Sequence, residues 1–158
     1  MTNPRMRTEI RSSDGNATWD AAPPMLQASR NVTLVQRAYD AFTRRDVEGL
    51  VATCSEDIEF HLPTAQLTRV GLPYRGHDGV RTYMRDAARV WSELRLEPRE
   101  FHEADDVVVA VGRVYAWGAG RVVDTPAAWV WRIRDGLAVR LDVYESADEA
   151  LAAAGIAG

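Results

Sequence analysis

The chain has 158 residues, 46% of them hydrophobic and 27% charged, with a net charge of −4 at pH 7. That size and composition suit one globular domain, and the acidic balance argues against a nucleic-acid binder, which would carry a basic face. No apolar run approaches the roughly 18 residues that span a bilayer, and no basic-then-apolar leader opens the chain, so the expected compartment is the cytoplasm.

Residues 1–30 read as a flexible N-terminal tail, with Asn3-Pro4, Ser12-Ser13-Asp14-Gly15 and Pro23-Pro24 and no sustained period. Residues 31–158 read as the domain. A first helix is expected from about Asn31, where Val32, Val35, Tyr39 and Phe42 recur at steps of three and four. Asp46 is the expected cap of a short second helix that turns Val47, Leu50 and Val51 inward. The single cysteine, Cys54, has no partner for an internal disulfide. It lies in an apolar stretch read as helical and is taken as a core thiol. Ile58–Leu62 reads as a strand, 63–74 as an irregular loop, and Asp78–Leu94 as a third helix whose stripe is Val80, Tyr83, Met84, Ala87, Trp91 and Leu94.

From Leu96 the period changes to two. Strands are expected over Leu96–Glu103, Val107–Trp117, Val122–Arg134 and Leu137–Glu145, with Pro126 marking a bulge or an edge in the third of these. Ser146-Ala147-Asp148-Glu149 is a capping box for a last short helix that Gly155 stops. Helices first and a meander of long strands after them make an α+β fold, with helices on one face of an antiparallel sheet. All 19 basic residues are arginine, so lysine Schiff-base and P-loop chemistry are excluded.

Asp135-Gly136 is a strong two-residue hairpin signal. Pairing Arg134 with Leu137 and continuing without interruption puts Trp131 opposite Arg140, Trp129 opposite Asp142 and Ala127 opposite Tyr144. One face then carries Trp129, Trp131, Arg140, Asp142 and Tyr144, and the other Ala128, Val130, Val139, Leu141 and Val143. The aliphatic face calls for a core or a partner subunit. On the aromatic face a carboxylate beside indole rings loses hydration, which raises its pKa and suits it to acid/base work. The alternative is that Asp142 forms a structural ion pair with Arg140 or Arg113.

The ordered set Val35-Gln36-Arg37-Ala38-Tyr39-Asp40-Ala41-Phe42, Arg45-Asp46-Val47-Glu48-Gly49-Leu50, Asp57-Ile58-Glu59-Phe60, Tyr74-Arg75-Gly76-His77-Asp78-Gly79-Val80, Arg132-Ile133-Arg134-Asp135-Gly136 and Asp148-Glu149-Ala150-Leu151 resembles the SnoaL-like branch of the nuclear transport factor 2-like superfamily. The resemblance covers about residue 31 to the end. It implies a cone-shaped, strongly curved antiparallel or mixed sheet wrapped by three N-terminal helices, plus a short C-terminal helix, with an apolar pocket inside. It further implies a homodimer through the outer sheet face, and relatives that are polyketide cyclases, ketosteroid isomerase, limonene epoxide hydrolase and dehydratases. Tyr39 lies close to the isomerase's tyrosine donor. Asp142 resembles the epoxide hydrolase's last aspartate, and Arg113-Val114-Tyr115 its Arg-x-Asp, with tyrosine in place of aspartate.

The expected function is therefore a small-molecule-binding, cofactor-independent acid/base enzyme of cyclase, isomerase, dehydratase or epoxide hydrolase type, acting on an apolar polyketide- or terpenoid-like substrate. The alternative is a non-catalytic binding or accessory protein of the same fold. The candidate catalytic residues are Asp142 for proton transfer, Arg113 to orient it, and His61. The candidate pocket residues are Tyr39, Tyr83, Trp91, Tyr115, Trp129, Trp131 and Tyr144. His77 is read as exposed and His102 as lying on an early strand beside acidic residues, neither with a functional role. The histidines and acidic residues show no metal-ligand spacing, so no metal and no cofactor are expected, nor a nucleic-acid or membrane partner.

Overall fold

The structure, a computed structural model, describes residues 24–62 and 73–156, with residues 24–29 as backbone only. The chain divides into two units, Met1–Arg30 and Asn31–Gly158. The side chains described below belong to the second.

Helix α1 spans Pro24–Thr43. It begins seven residues before the expected start at Asn31 and takes in the end of the expected tail. Proline suits a first helical position, because its fixed φ is helical and its missing N–H would be unpaired there. Met25, Leu26, Gln27 and Ala28 then favour the helix. The rest of the expected tail lies outside the described residues. Helix α2 (Val47–Val51) is capped as expected: the Asp46 carboxylate accepts from the Gly49 N–H at 3.0 Å.

Strand β1 (Cys54–His61) begins four residues before Ile58, so Cys54 opens a strand and is not helical. The Thr53 carbonyl, which accepts from Ala138 N–H at 2.9 Å, draws this segment into the sheet. Of the expected loop, 63–72 lies outside the described residues, and Tyr74–Arg75 forms β2 against Phe60 and Glu59. Helix α3 (Gly76–Val90) buries Val80, Tyr83, Met84 and Ala87. It stops four residues before Leu94. Trp91 turns extended, and the Ser92 N–H donates to Trp117 O at 2.8 Å, so the sheet captures the backbone that the apolar stripe would have kept helical.

The strands β3 (Glu93–Ala104), β4 (Val107–Gly118), β5 (Arg121–Arg134) and β6 (Leu137–Tyr144) follow, then α4 (Ala147–Ala154). Ser146 caps α4 by accepting from Glu149 N–H, and Gly155 ends it at φ 75°. The six strands run in the order β2-β1-β6-β5-β4-β3, antiparallel except for the parallel β1–β6 pair. This is an α+β fold with a mixed, open, curved sheet. A bulge in β3 between Pro98 and Glu100 faces Gly112, where a Cβ would collide with Glu97 O. Such a bulge bends its strand. Pro126 sits where β5 outruns β6: their last pair is Ala128 with Tyr144, so the proline leaves no ladder bond to β6 unmade.

The inner sheet face packs Val108, Ala110, Trp129 and Trp131 against Val35, Tyr39 and Phe42 of α1 and Val80 and Tyr83 of α3. On the outer face Val109, Ala128 and Val130 are covered by Ala150 and Leu151 of α4. The aliphatic row thus finds cover in the chain's own last helix. Among the described residues no helix is long and apolar enough to cross a membrane.

The last hairpin departs from the expected register. Arg134 pairs with Leu137 and Ile133 with Ala138, as the Asp135-Gly136 turn dictates. Val139 then bulges. From Arg132–Arg140 onward the pairs are Trp131–Leu141, Val130–Asp142, Trp129–Val143 and Ala128–Tyr144. One extra residue moves the following side chains of β6 to the opposite face. Leu141 and Val143 therefore join the tryptophans inside, while Arg140 and Asp142 join Val130 outside.

Candidate functional site

The curved inner face and the helices bound a cavity of about 680 Å³, within the size range of small-molecule sites. Alternation along β5 sends Arg121, Val123, Thr125, Ala127, Trp129 and Trp131 to its wall, and β4 adds Val114 and Ala116. Helix α1 contributes Tyr39 and Phe42, α3 contributes Tyr83, β1 contributes Phe60, and Trp91 closes the side where α3 ends.

The aromatic rings brace one another. Tyr39 stands edge-on to Trp129 and Trp131, with ring centroids 5.5 and 5.6 Å apart. Tyr83 stacks on Phe42 at 6.1 Å and meets Phe60 edge-on at 5.7 Å. Edge-to-face pairs of this kind are each worth about 0.5–1.5 kcal/mol beyond their burial.

Two buried phenol hydroxyls lie within this apolar wall. The Trp131 Nε1–H donates to Tyr39 Oη at 3.1 Å. That bond occupies one lone pair of Tyr39, and its own O–H proton has no acceptor among the described residues. Tyr83 is 5% exposed, and its hydroxyl makes no hydrogen bond among the described residues. Burial pushes both phenols above their ordinary range, so each stays protonated, a donor. Buried polar groups are normally paired. Two donors without acceptors in one cavity therefore suit a ligand oxygen that accepts from them.

The sequence candidates separate into two sets. Tyr39, Tyr83, Trp91, Trp129 and Trp131 line the cavity, while His61, in register with the outward Asp142, reaches only its border beside Leu62 and Pro73. The His61 Nε2 lies 3.0 Å from Glu59 Oε1. Hydrogen bonding by His61 foremost, and then the charges of Arg75 and Arg140, hold Glu59 below the usual carboxylate range.

Four candidates face the other way: Asp142, Arg113, Tyr115, and Tyr144, which pairs with Ala128, packs on the outer cluster under α4 and meets the cavity only at its edge. Asp142, on the outer side after the Val139 bulge, is held by Arg140 Nε at 2.7 Å and Nη2 at 3.2 Å. The structural ion pair is thus the arrangement found, and Arg140 is the partner. Arg113 lies on the outer row of β4 with Val109 and Val111, and it binds Asp124 at 2.9 Å, not Asp142. Tyr115, two residues on, also faces out, beneath the Arg95 guanidinium at 4.7 Å. The alternation that buries Val114 and Ala116 in the cavity wall turns both Arg113 and Tyr115 away.

His77, expected on the surface, is partly buried, with Nε2 2.9 Å from Cys54 O. His102 pairs with Glu100 at the surface. Cys54 is a buried thiol, pushed up to about 11 by desolvation. Among the described residues no three His, Cys, Asp or Glu side chains gather as a metal site requires.

The sequence reading passed over Phe42, Phe60, Arg121 and Glu145 as wall residues. For Arg121 the signal was present, since it shares the odd-numbered row of Trp129 and Trp131.

A family model described as the SnoaL-like domain matches residues 35–141. Among solved structures, an NTF2-like protein of unknown function from Burkholderia pseudomallei K96243 is 29% identical, with TM-score 0.67 over 78% of this chain and 96% of that one. TerC co-crystallised with polyporic acid is 28% identical, with TM-score 0.67 over 77% of this chain and 95% of that one. A protein provisionally assigned as a polyketide cyclase, from Sinorhizobium meliloti, shares the fold at 20% identity and TM-score 0.60, over 71% of this chain and 94% of that one. A comparison with curated proteins finds no match.

Proposed function

The chain belongs to the SnoaL-like domain family, and from that premise we propose that its cavity binds a small, largely apolar molecule through an acceptor oxygen and performs cofactor-independent acid/base chemistry on it. The observation that carries this reading is the pair of buried phenol donors, Tyr39 and Tyr83, in an aromatic wall. A carbonyl or enolate oxygen accepting from either of them would gain most as negative charge developed on it, the condition for transition-state stabilisation.

His61 is the proton-transfer group in this reading. It touches the cavity only at the border, from the outward row of β1 that it shares with Glu59, its partner at 3.0 Å, so the reacting atom would sit at the rim. A base oriented by a carboxylate is a familiar acid/base arrangement. The substrate class is a polyketide- or terpenoid-like compound, and the reaction a cyclisation, isomerisation, dehydration or epoxide opening. A second reading, a binding protein without turnover, is favoured by one specific observation. Asp142 and Arg113, the residues that resemble catalytic ones in relatives, are both bound to partners on the outer face.

Polyporic acid, crystallised with TerC, is the first probe. Binding quenches the fluorescence of Trp129 and Trp131, and Tyr39→Phe weakens it about tenfold by removing a donor. Mass spectrometry of the incubated mixture shows a product with the parent chain and none with His61→Asn, which still binds. Turnover undiminished in His61→Asn removes His61 from the mechanism. Binding without any product supports the second reading, and no quenching at all removes this cavity as the site for such a molecule.

A further inference from the structure

We propose that Arg121 is an anion anchor, so that the ligand of this cavity carries a negative group, a carboxylate or an ionised hydroxyl, on an apolar body. The inference rests on the cavity being a ligand site. It adds the charge that the ligand must bear, which the phenol donors leave open.

Arg121 opens β5, and alternation makes it the first member of the inward row that ends in Trp129 and Trp131. That row passes from a guanidinium through Val123 and Thr125 to the indoles. The cavity is thus cationic at one end and aromatic at the other.

The other sheet arginines show what is unusual about this one. Arg75 lies against Glu59, Arg95 against Glu93, Arg99 against Glu97, Arg113 against Asp124, Arg134 against Asp57 and Arg140 against Asp142. Arg132 donates to the Ala153 carbonyl. Arg121 has no hydrogen bond or ion pair among the described residues. Asp124, the nearest carboxylate along the chain, is engaged by Arg113, and Glu93, opposite Trp117 in the β3–β4 ladder, by Trp117 and Arg95. The sheet gives its other arginines a partner and leaves this one, exposed at the cavity wall, with five donors available. A planar guanidinium beside an apolar surface suits a carboxylate or phenolate, which it holds by charge-assisted bonds. Glu145, also on the wall, sets the sign control: any anion that Arg121 attracts, Glu145 repels.

The test uses two dyes of similar apolar body, the anionic 1-anilinonaphthalene-8-sulfonate and the neutral N-phenyl-1-naphthylamine, titrated by fluorescence at low ionic strength. Arg121→Gln weakens the anionic dye about threefold to fivefold, as expected for one exposed charge-assisted contact, and leaves the neutral dye unchanged. Arg121→Lys recovers part of the loss. Glu145→Gln strengthens the anionic dye. Salt narrows the difference between parent and Arg121→Gln, because the contact is screened. Equal affinity of the anionic dye for parent and Arg121→Gln, or an equal loss for both dyes, overturns the anchor while the cavity stands. Failure of both dyes to bind the parent chain removes the ligand cavity and the anchor with it.

Discussion

The two faces of the sheet treat polar groups in opposite ways. On the outer face, guanidinium and carboxylate groups satisfy one another: Arg113 with Asp124, Arg134 with Asp57, Arg140 with Asp142. On the inner face, polar groups are few and incompletely used: the Tyr39 proton and the Tyr83 hydroxyl are buried without an acceptor, and the solvent-exposed Arg121 guanidinium at the rim has none, among the described residues. A satisfied ion pair has little left to offer a ligand. An unsatisfied donor inside a fold costs stability, and it persists where something else compensates. The contrast locates function by what is left unpaired and not by which residues carry charge.

The largest effect that sharpens this contrast appears at alkaline pH. Tyr39, Tyr83 and Cys54 are all raised by burial in the folded chain, Cys54 to about 11. In the unfolded chain they ionise near their ordinary values, about 8.5 for the thiol and about 10 for the phenols. Above those values the unfolded state binds fewer protons than the folded one, so stability is fully present below about pH 8.5 and falls as pH rises. A phenol that stays protonated in the folded chain at pH 11 removes up to about 1.4 kcal/mol there, the limit set by its ordinary value in the unfolded chain. The chain has no lysine to titrate in the same range, and arginine remains charged. Urea midpoints at pH 8 and pH 11 measure the loss, with Cys54→Ala separating the thiol's share and Tyr83→Phe returning about half of the phenols'. A midpoint independent of pH across this range would mean that the inner hydroxyls are solvated in the folded chain.

A smaller effect distinguishes the two phenols from each other. Tyr39→Phe removes the acceptor of the Trp131 N–H and leaves that donor buried, at a cost of about 1–2 kcal/mol. Tyr83→Phe removes a hydroxyl that has no partner among the described residues, so it is neutral or stabilising by up to about 1 kcal/mol. Thermal melts of the two variants at neutral pH should therefore shift in opposite directions, or one down and one not at all. Equal losses would show that Tyr83 has a partner and that the inner face is as fully paired as the outer one.

The sequence was a good guide wherever one local rule was decisive. The caps at Asp46 and Ser146, the stop at Gly155 and the hairpin turn at Asp135-Gly136 all stand as the residue types required. The inward placement of Tyr39, Tyr83, Trp129 and Trp131 follows from their periods of 3.6 and 2. It misled where tertiary pairing overrode a local pattern. The apolar stripe of α3 continues to Leu94, but the backbone bond from Ser92 to Trp117 ends the helix at Val90. The Val139 bulge has no glycine or proline to mark it. Its signal was a mismatch: an uninterrupted register sets Arg140 and Asp142 against two tryptophans, whereas one extra residue sets Leu141 and Val143 there. Matching the amphipathic pattern across strands, and not only along them, would have favoured the bulge.

The smallest effect is expected at the residue whose position that bulge decides. Asp142 shares its outer-face neighbourhood with Arg140, its bidentate partner, and lies opposite Val130 and His61 in the strand ladders. Arg140 keeps 44% of its side-chain surface open and Asp142 18%, so the pair is partly exposed and contributes about 1 kcal/mol. Asp142→Asn keeps the shape and one acceptor oxygen, so the expected loss is under about 1 kcal/mol by urea titration, with dye affinity in the cavity unchanged. The straight register makes the opposite forecast. An Asp142 among the indoles would be a desolvated carboxylate, its removal would relieve the fold of a buried charge, and anionic dye would bind more tightly. One variant measured for stability and for dye affinity thus reports on which side of the sheet this carboxylate stands.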